Sequence, residues 1–372
     1  MPEKGEPDLS SIQTVLSPAY GERWRISAGV RTVSLYYGCM QAFILAGGFA
    51  TRLWPLSERR AKPLLPLAGK PLLTYVLESV PKEIPVTVST NAVFADDMKT
   101  WAKTIKDRNV TISIEDAGHE GEKLGALGAV SKWLTEEKID DDLLLLAGDN
   151  YVGCSMEKFL EARGTNPLIA AHDIGDRELA KQFGTVIVEN LPSHPHPLTP
   201  SPEGGRGTKV ISFEEKPLHP KSTFVSTGWW WLPKDSLPVL KEHAKKHPDN
   251  VGGVFEEFLR RGMTVDAFIF KETWHDIGSF ESYLHLHREI VDGKTLADST
   301  SIITPNCALE GSNTIGPSVR IEKSTLRDCI LFGNSVITDC VLERCIIDEH
   351  CTLTGVDLCD QMLRAGTILK RP

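Results

Sequence analysis

From Met40 to about Asp292 the chain alternates short apolar runs with amphipathic stretches: AFILA, PLLTYVLESV, PVTVST, TISIED, LGALGAVSKWL, DDLLLLAGD and PLIAAHDI follow one another. Strands separated by helices in this order predict parallel strands joined by crossovers, hence an α/β sheet covered on both faces. The strongest apolar run, LLLLAG, gives out just before Asp149. That residue is therefore expected at the carboxyl edge, where open α/β sheets hold their ligands. Farther on, TVIVEN and TKVISFEEKP read as a hairpin interrupted by residues 191–207, LPSHPHPLTPSPEGGRG. Proline-dense and without apolar anchors, this insert cannot bury enough surface to offset its ordering entropy, which predicts a mobile loop.

Beyond about residue 299 the chain is best compared with itself. STLRDCILFGNSVITD (Ser324 to Asp339) lies over CVLERCIIDEHCTLTG (Cys340 to Gly355) with a period of 16, and ALEGSNTIGPSVRIEK (Ala308 to Lys323) is expected to precede them in the same register. Aliphatic residues recur at steps of 5, 5 and 6 through Leu326, Leu331, Ile337, Leu342, Ile347 and Leu353, each with Ser or Cys two positions earlier. Three short sides per turn, each sending one small and one aliphatic residue inward, describe a triangular β-solenoid. In it Cys329 should stack on Cys345 and Ser335 on Cys351. The expected organisation is a disordered tail over 1–39, an α/β domain over 40–298 and the solenoid over 299–372.

Composition narrows the partners. A net charge of −9 argues against a nucleic-acid groove or an anionic membrane surface, both of which need clustered positive charge. No apolar run approaches the ~20 residues of a membrane span, so a cytoplasmic location is expected. Six of the eight cysteines fall between Cys307 and Cys359 with no C-x-x-C pair. They read as small core residues rather than zinc ligands or disulfides.

Chemistry concentrates in FILAGGFATRL (Phe43 to Leu53) and KPLLP (Lys62 to Pro66). Gly47 and Gly48 let a backbone approach phosphate oxygens with its N–H groups, while Arg52 and Lys62 supply the charge a triphosphate demands. Neither G-x-x-x-x-G-K-[ST] nor G-x-G-x-x-G is present. Asp149 in AGDN and Asp276 in WHDIG are acidic residues in apolar or small-residue settings. One or two such carboxylates suffice for Mg²⁺ on phosphate oxygens, because the ion keeps several waters. In FEEKP, Glu215 can accept from sugar hydroxyls and Lys216 can pair with a phosphate.

The run LAGG-x-x-x-RL-x-PL, then KPLLPLAGKPLL, GDN, FEEKP, TG and W-x-DIG, spread in order over roughly residues 40–290, resembles the sugar-phosphate nucleotidylyltransferases, in particular the glucose-1-phosphate thymidylyltransferases. The resemblance implies a Rossmann-like, mostly parallel nucleotidyltransferase domain followed by a short left-handed β-helix through which copies of the chain could associate. It implies nucleotidyl transfer from a nucleoside triphosphate, dTTP or UTP before GTP, to a sugar 1-phosphate, glucose before mannose. Arg52 and Lys62 would be catalytic, and Asp149 and Asp276 would hold Mg²⁺. Leu45, Ala46, Gly47, Gly48, Lys123, Leu124 and Gly125 would bind the nucleotide, and Glu215, Lys216 and Gly228 the sugar phosphate. Ala50 stands where many relatives have a further glycine, and Trp229 to Trp231 form an aromatic run beside Gly228 that either fills a buried strand or narrows the pocket. A catalytically silent regulatory paralogue is the rival of a different class; retention of Arg52, Lys62, Asp149, Lys216 and Asp276 speaks against it. An acyltransferase solenoid is disfavoured by about three coils and the single histidine, His350.

Overall fold

The computed structural model describes residues 40–48, 51–116, 124–189 and 207–371. The expected tail, Ala50, Lys123 and all of the 191–207 insert but Gly207 lie outside them.

The alternation seen in the sequence becomes layers. Strand β1 (Met40–Leu45) is followed by a small hairpin of β2 (Pro66–Leu67) and β3 (Lys70–Pro71), helix α1 (Leu72–Ser79), β4 (Val86–Asn91), α2 (Ala95–Thr104) and β5 (Val110–Glu115). Next come α3 (Ala126–Glu136), β6 (Asp142–Ala147), β7 (Asn150–Val152), α4 (Met156–Glu161), β8 (Leu168–Asp173) and α5 (Arg177–Ala180). The domain ends with β9 (Gly184–Val188), β10 (Thr208–Glu215), β11 (Phe224–Leu232), α6 (Leu237–Lys246), α7 (Gly253–Arg260), β12 (Asp266–Phe270), β13 (Trp274–Asp276) and α8 (Phe280–Val291).

Nine strands form one sheet in the order β5-β4-β1-β6-β11-β8-β12-β10-β9. Because successive residues of a strand face opposite sides, Ala42 and Ile44 of β1 join a core with α1, α2 and α4, while Phe43 joins one with α3, α6 and α7. Both faces are covered, as predicted. The expectation of a mostly parallel sheet needs correction, since the sheet is mixed. Strands β4, β5 and β6 run parallel to β1 or its neighbour, and β12 runs parallel to β8. However, β11 enters antiparallel between β6 and β8, and β10 is antiparallel to both β9 and β12. An apolar run buried on both faces carries no mark of its direction, which its partners decide. The interrupted hairpin is present as the β9–β10 pair.

The aromatic run lies on β11. Trp229 and Trp231 pack on one face of the sheet and Trp230 on the other, where its Nε1 donates to Ser226 Oγ at 2.9 Å.

After α8 the chain builds three stacks of short parallel strands, beginning with Thr295–Ala297, Ile302–Ile303 and Ala308–Glu310, an arrangement compatible with a β-helix. Leu326 sits over Leu342, Leu331 over Ile347 and Ile337 over Leu353, matching the 16-residue period. Corners fall in the left-handed backbone region at Lys323, Asp328, Asn334, Asp339, Arg344 and His350. One correction applies: Leu309 pairs with Leu326, a step of 17, while Ile315 pairs with Leu331. The first repeat therefore carries an extra residue at the corner around Gly311. Cys329, Cys345 and Cys351 are free thiols buried in the core between the strand stacks, with the Cys351 N–H on Ser335 Oγ at 3.0 Å.

The two parts share a core. Leu53, Leu56, Leu65 and Leu67 from the segment after β1 meet Tyr283 and Leu286 of α8 and Ile330, Phe332 and Ile346 of the strand stacks. Arg60 spans that junction, its guanidinium over the Phe332 ring and 3.3 Å from the buried Asp348 carboxylate. Among the described residues, no helix is long and apolar enough to cross a membrane.

Candidate active site

Strands β1, β4, β5 and β6 run the same way, so their carboxyl ends open onto a single cleft, with a volume of about 380 Å³. Leu45, Gly47 and Gly48 line it where β1 ends, and two side chains of β4 hold that turn: the Ala46 N–H donates to Ser89 Oγ at 3.2 Å, and Asn91 Nδ2 to the Gly47 carbonyl at 3.1 Å. Arg52 stands exposed on the wall. Ala46 is buried behind the turn, and neither it nor Leu124 lines the cleft. Gly125 does line it, at φ +79°; a Cβ there would lie 2.5 Å from the Pro248 carbonyl carbon, so only glycine fits.

Asp149 follows β6 and Asp276 ends β13, separated by more than a hundred residues of chain. Antiparallel pairing of β13 with β7 sets Asp276 opposite Asn150, and the Ile277 N–H donates to the Asp149 carbonyl at 3.1 Å. Both carboxylates converge on one ammonium, with Lys62 Nζ 2.6 Å from Asp149 Oδ2 and 3.7 Å from Asp276 Oδ1. The Asn150 amide donates to both, at 2.9 and 3.3 Å, and its oxygen is fixed by Trp274 Nε1 at 2.9 Å. Lys62 itself is set back behind the pair and does not line the cleft.

Electrostatics follow from this packing. Burial works to discharge the Lys62 ammonium, but Asp149 and Asp276 outweigh it and hold its pKa above the ordinary lysine value. Burial also opposes the Asp149 carboxylate; Lys62 and the Asn150 amide overcome it and hold that group below its usual value. Asp276 moves the other way, raised by burial and then by repulsion from Asp149, with Lys62 and Arg52 offsetting part of the rise. Lys62 and Arg52 together therefore leave the buried pair with an unmet demand for positive charge at Asp276.

Gly228, at φ +82°, sits in a bulge of β11 beside the aspartate pair; a Cβ there would come 2.6 Å from that of Ala147 and 3.4 Å from the Asn150 side-chain amide carbon. Glu215, at the end of β10, packs against Gly184 and Gly252 with Lys216 Nζ 3.9 Å away. Burial raises its carboxyl pKa and Lys216 offsets part of that. The structure therefore brings Leu45, Gly47, Gly48, Arg52, Gly125, Asp149, Glu215, Lys216, Gly228 and Asp276 to one cleft. Sequence reasoning gave no role to Asn150, although it stands in AGDN, nor to Ser89 and Glu115. Glu115 lines the cleft where β5 ends, the same carboxyl-edge signal that singled out Asp149.

This mixed sheet, with its glycine turn and paired aspartates at the carboxyl edge, is the frame of a nucleotidyl transferase, and the profile described by that name matches residues 41–293. The chain belongs to that family, among the sugar-phosphate nucleotidyltransferases. A relative from Sulfolobus acidocaldarius named for mannose-1-phosphate guanyltransferase activity is 26% identical over 308 residues, covering 80% of this chain and 76% of its own. The glucose-1-phosphate adenylyltransferase of Clostridium perfringens is 26% identical over 323 residues, covering 80% and 79%. Among solved structures, a Bacillus anthracis protein titled as a glucose-1-phosphate thymidylyltransferase, in complex with sucrose, superposes with a TM-score of 0.54 at 20% identity. That match covers 67% of this chain and 94% of the other, and it speaks for the fold.

Proposed function

We propose that this protein transfers a nucleotidyl group from a nucleoside triphosphate to a sugar 1-phosphate, releasing pyrophosphate, with dTTP or UTP and glucose 1-phosphate as first choices. The observation that carries the reading is the convergence of Asp149 and Asp276 on Lys62 and Asn150 at the floor of a cleft whose wall bears Arg52. The hard oxygen donors and the unmet charge of the aspartate pair suit Mg²⁺. When bound, the ion would neutralise charge on the triphosphate and steady the departing pyrophosphate.

The chain's own residues supply the rest. An ionised oxygen of the sugar phosphate forms a bond to the α-phosphorus while the bond from that phosphorus to the bridging oxygen of pyrophosphate breaks, the electron pair leaving with pyrophosphate. The nucleophile is already charged at neutral pH, so neither a general base nor a covalent intermediate is needed. Arg52 stabilises charge on the polyphosphate, Lys62 holds the two carboxylates in place, and Glu215 with Lys216 positions the sugar phosphate for in-line attack. The strand stacks after α8 fit a left-handed β-helix that buttresses the segment carrying Arg52 and Lys62.

A second reading, mannose 1-phosphate with GTP, draws support from Glu115. Its buried carboxylate, beside Gly47 in the cleft, can only accept hydrogen bonds when ionised. Guanine offers a donor edge from N1–H and the 2-amino group, whereas a pyrimidine offers two carbonyls around one N–H.

Purified protein with Mg²⁺ and a panel of nucleotides crossed with sugar 1-phosphates, scored by pyrophosphate release, tests both readings. Asp149→Asn should lower turnover by ~10²–10³ with the fold unchanged by circular dichroism. Full activity in that variant would remove the metal assignment, and silence of the wild type across the whole panel would remove the transferase reading.

A further inference from the structure

A cluster of metal-binding side chains lies outside the cleft. His285 and Glu289 are one turn apart on α8 and so share a face, and His275 of β13 points at that face. His275 Nε2 is 2.8 Å from Glu289 Oε2, the His275 and His285 ring centroids are 5.1 Å apart, and one ligand atom from each of the three residues lies within 4.8 Å of the others. Thr273 Oγ1 donates to the other oxygen of Glu289, the kind of supporting contact that orients a ligating carboxylate. Glu281, one turn earlier on the same helix, borders the surface depression that His275 and His285 line.

We propose that His275, His285 and Glu289 form a binding site for a zinc-class divalent transition-metal ion, separate from the aspartate pair and tying β13 to α8. Two imidazoles and a carboxylate are the donor set of Zn²⁺ and its neighbours, with bonds of about 2.0–2.2 Å, whereas Mg²⁺ takes oxygen donors. His275 Nε2 and Glu289 Oε2, hydrogen-bonded at 2.8 Å, need to part by only about 0.5 Å to stand as two tetrahedral donors on one ion, which would replace the proton between them. The exposed His285 side chain is free to close the remaining gap by a rotamer change. Charge also permits it. Arg288 and Arg344 border the depression, but each already faces a carboxylate, Asp328 at 3.4 Å and Asp360 at 2.6 Å.

Alternation along β13 separates the two sites. Trp274 and Asp276 point to Asn150 while His275 points to α8. A metal here would lock the strand that delivers Asp276 without touching the cleft.

The test is equilibrium dialysis of the full chain against Zn²⁺ alone, with bound metal measured by atomic emission for wild type, Asp149→Asn, His285→Ala and Glu289→Gln. One tightly bound equivalent is expected in wild type and in Asp149→Asn, its loss in His285→Ala, and at least tenfold weaker binding in Glu289→Gln. Co²⁺ in place of Zn²⁺ should give a visible absorption band that both wild type and Asp149→Asn show and His285→Ala lacks. The proposal is overturned if wild type binds no equivalent, or if His285→Ala and Glu289→Gln retain it, which would assign the metal to other donors. His285 and Glu289 are both exposed, so circular dichroism of the two variants should match wild type; if one misfolds, the other decides.

Discussion

His287 makes the junction between α8 and the C-terminal strand stacks sensitive to pH. It is fully buried, its Nε2 is 2.9 Å from Thr314 Oγ1 of the strand stacks, and its Nδ1 has no hydrogen-bond partner among the described residues. Burial pushes its pKa from 6.5 down to about 4, with Asp328 offsetting part of the shift. Between those values the unfolded chain binds a proton that the folded chain refuses, so stability rises with pH through this window and is lost as pH falls. Near pH 5 the group has taken up about 1.5 of its pK units, a loss of about 2 kcal/mol relative to neutral pH, or a factor of ~30 in the folding equilibrium. The assay is urea unfolding of wild type and His287→Gln at neutral pH and near pH 5. Glutamine keeps a polar partner for Thr314 but does not titrate. Wild type should lose about 2 kcal/mol more than the variant on acidification. His172 and His243, whose pKa values burial also lowers, contribute equally to both proteins and cancel. Equal losses in the two proteins would refute the reasoning.

Two further predictions concern the cleft. A Cβ at Gly252 would fall 1.8 Å from Glu215 Oε2 and 3.0 Å from the Phe213 ring, so Gly252→Ala displaces the flexible end of Glu215 rather than any backbone. The KM for the sugar 1-phosphate should rise by ~10–100-fold, the loss of one charged hydrogen bond, with the melting temperature nearly unchanged; an unchanged KM would show that Glu215 does not contact the sugar. Glu115→Gln replaces an acceptor-only group by one that also donates, and should shift the ratio of kcat/KM values from GTP towards UTP or dTTP by about tenfold or more. An unaltered ratio would take Glu115 out of base selection.

The local grammar of the chain set the elements. Alternating apolar runs placed β1, β4, β5, β6 and β8 together with α1 and α3, and the 16-residue period placed the coils from Ser324 onward, because periodicity records which side of each element is buried. The glycine turn, Arg52, Asp149 and Asp276 were legible as residue types suited to phosphate and metal. What lay beyond the sequence were relations between distant segments. The direction of β11 depends on its pairing with β6 and β8, which no property of FVSTGWWWL announces. The extra residue at Gly311 lengthens the aliphatic step from Leu309 to Ile315 to six, against five from Leu326 to Leu331, but only the strand pairing shows that a corner absorbs it. The position of Lys62 behind the aspartates, the bridging amide of Asn150, the carboxylate of Glu115 beside Gly47 and the approach of His275 to α8 all follow from strand pairing and helix docking. Sequence pattern specifies burial one element at a time, whereas a site is made of distances between elements, and those are fixed only when the layers pack.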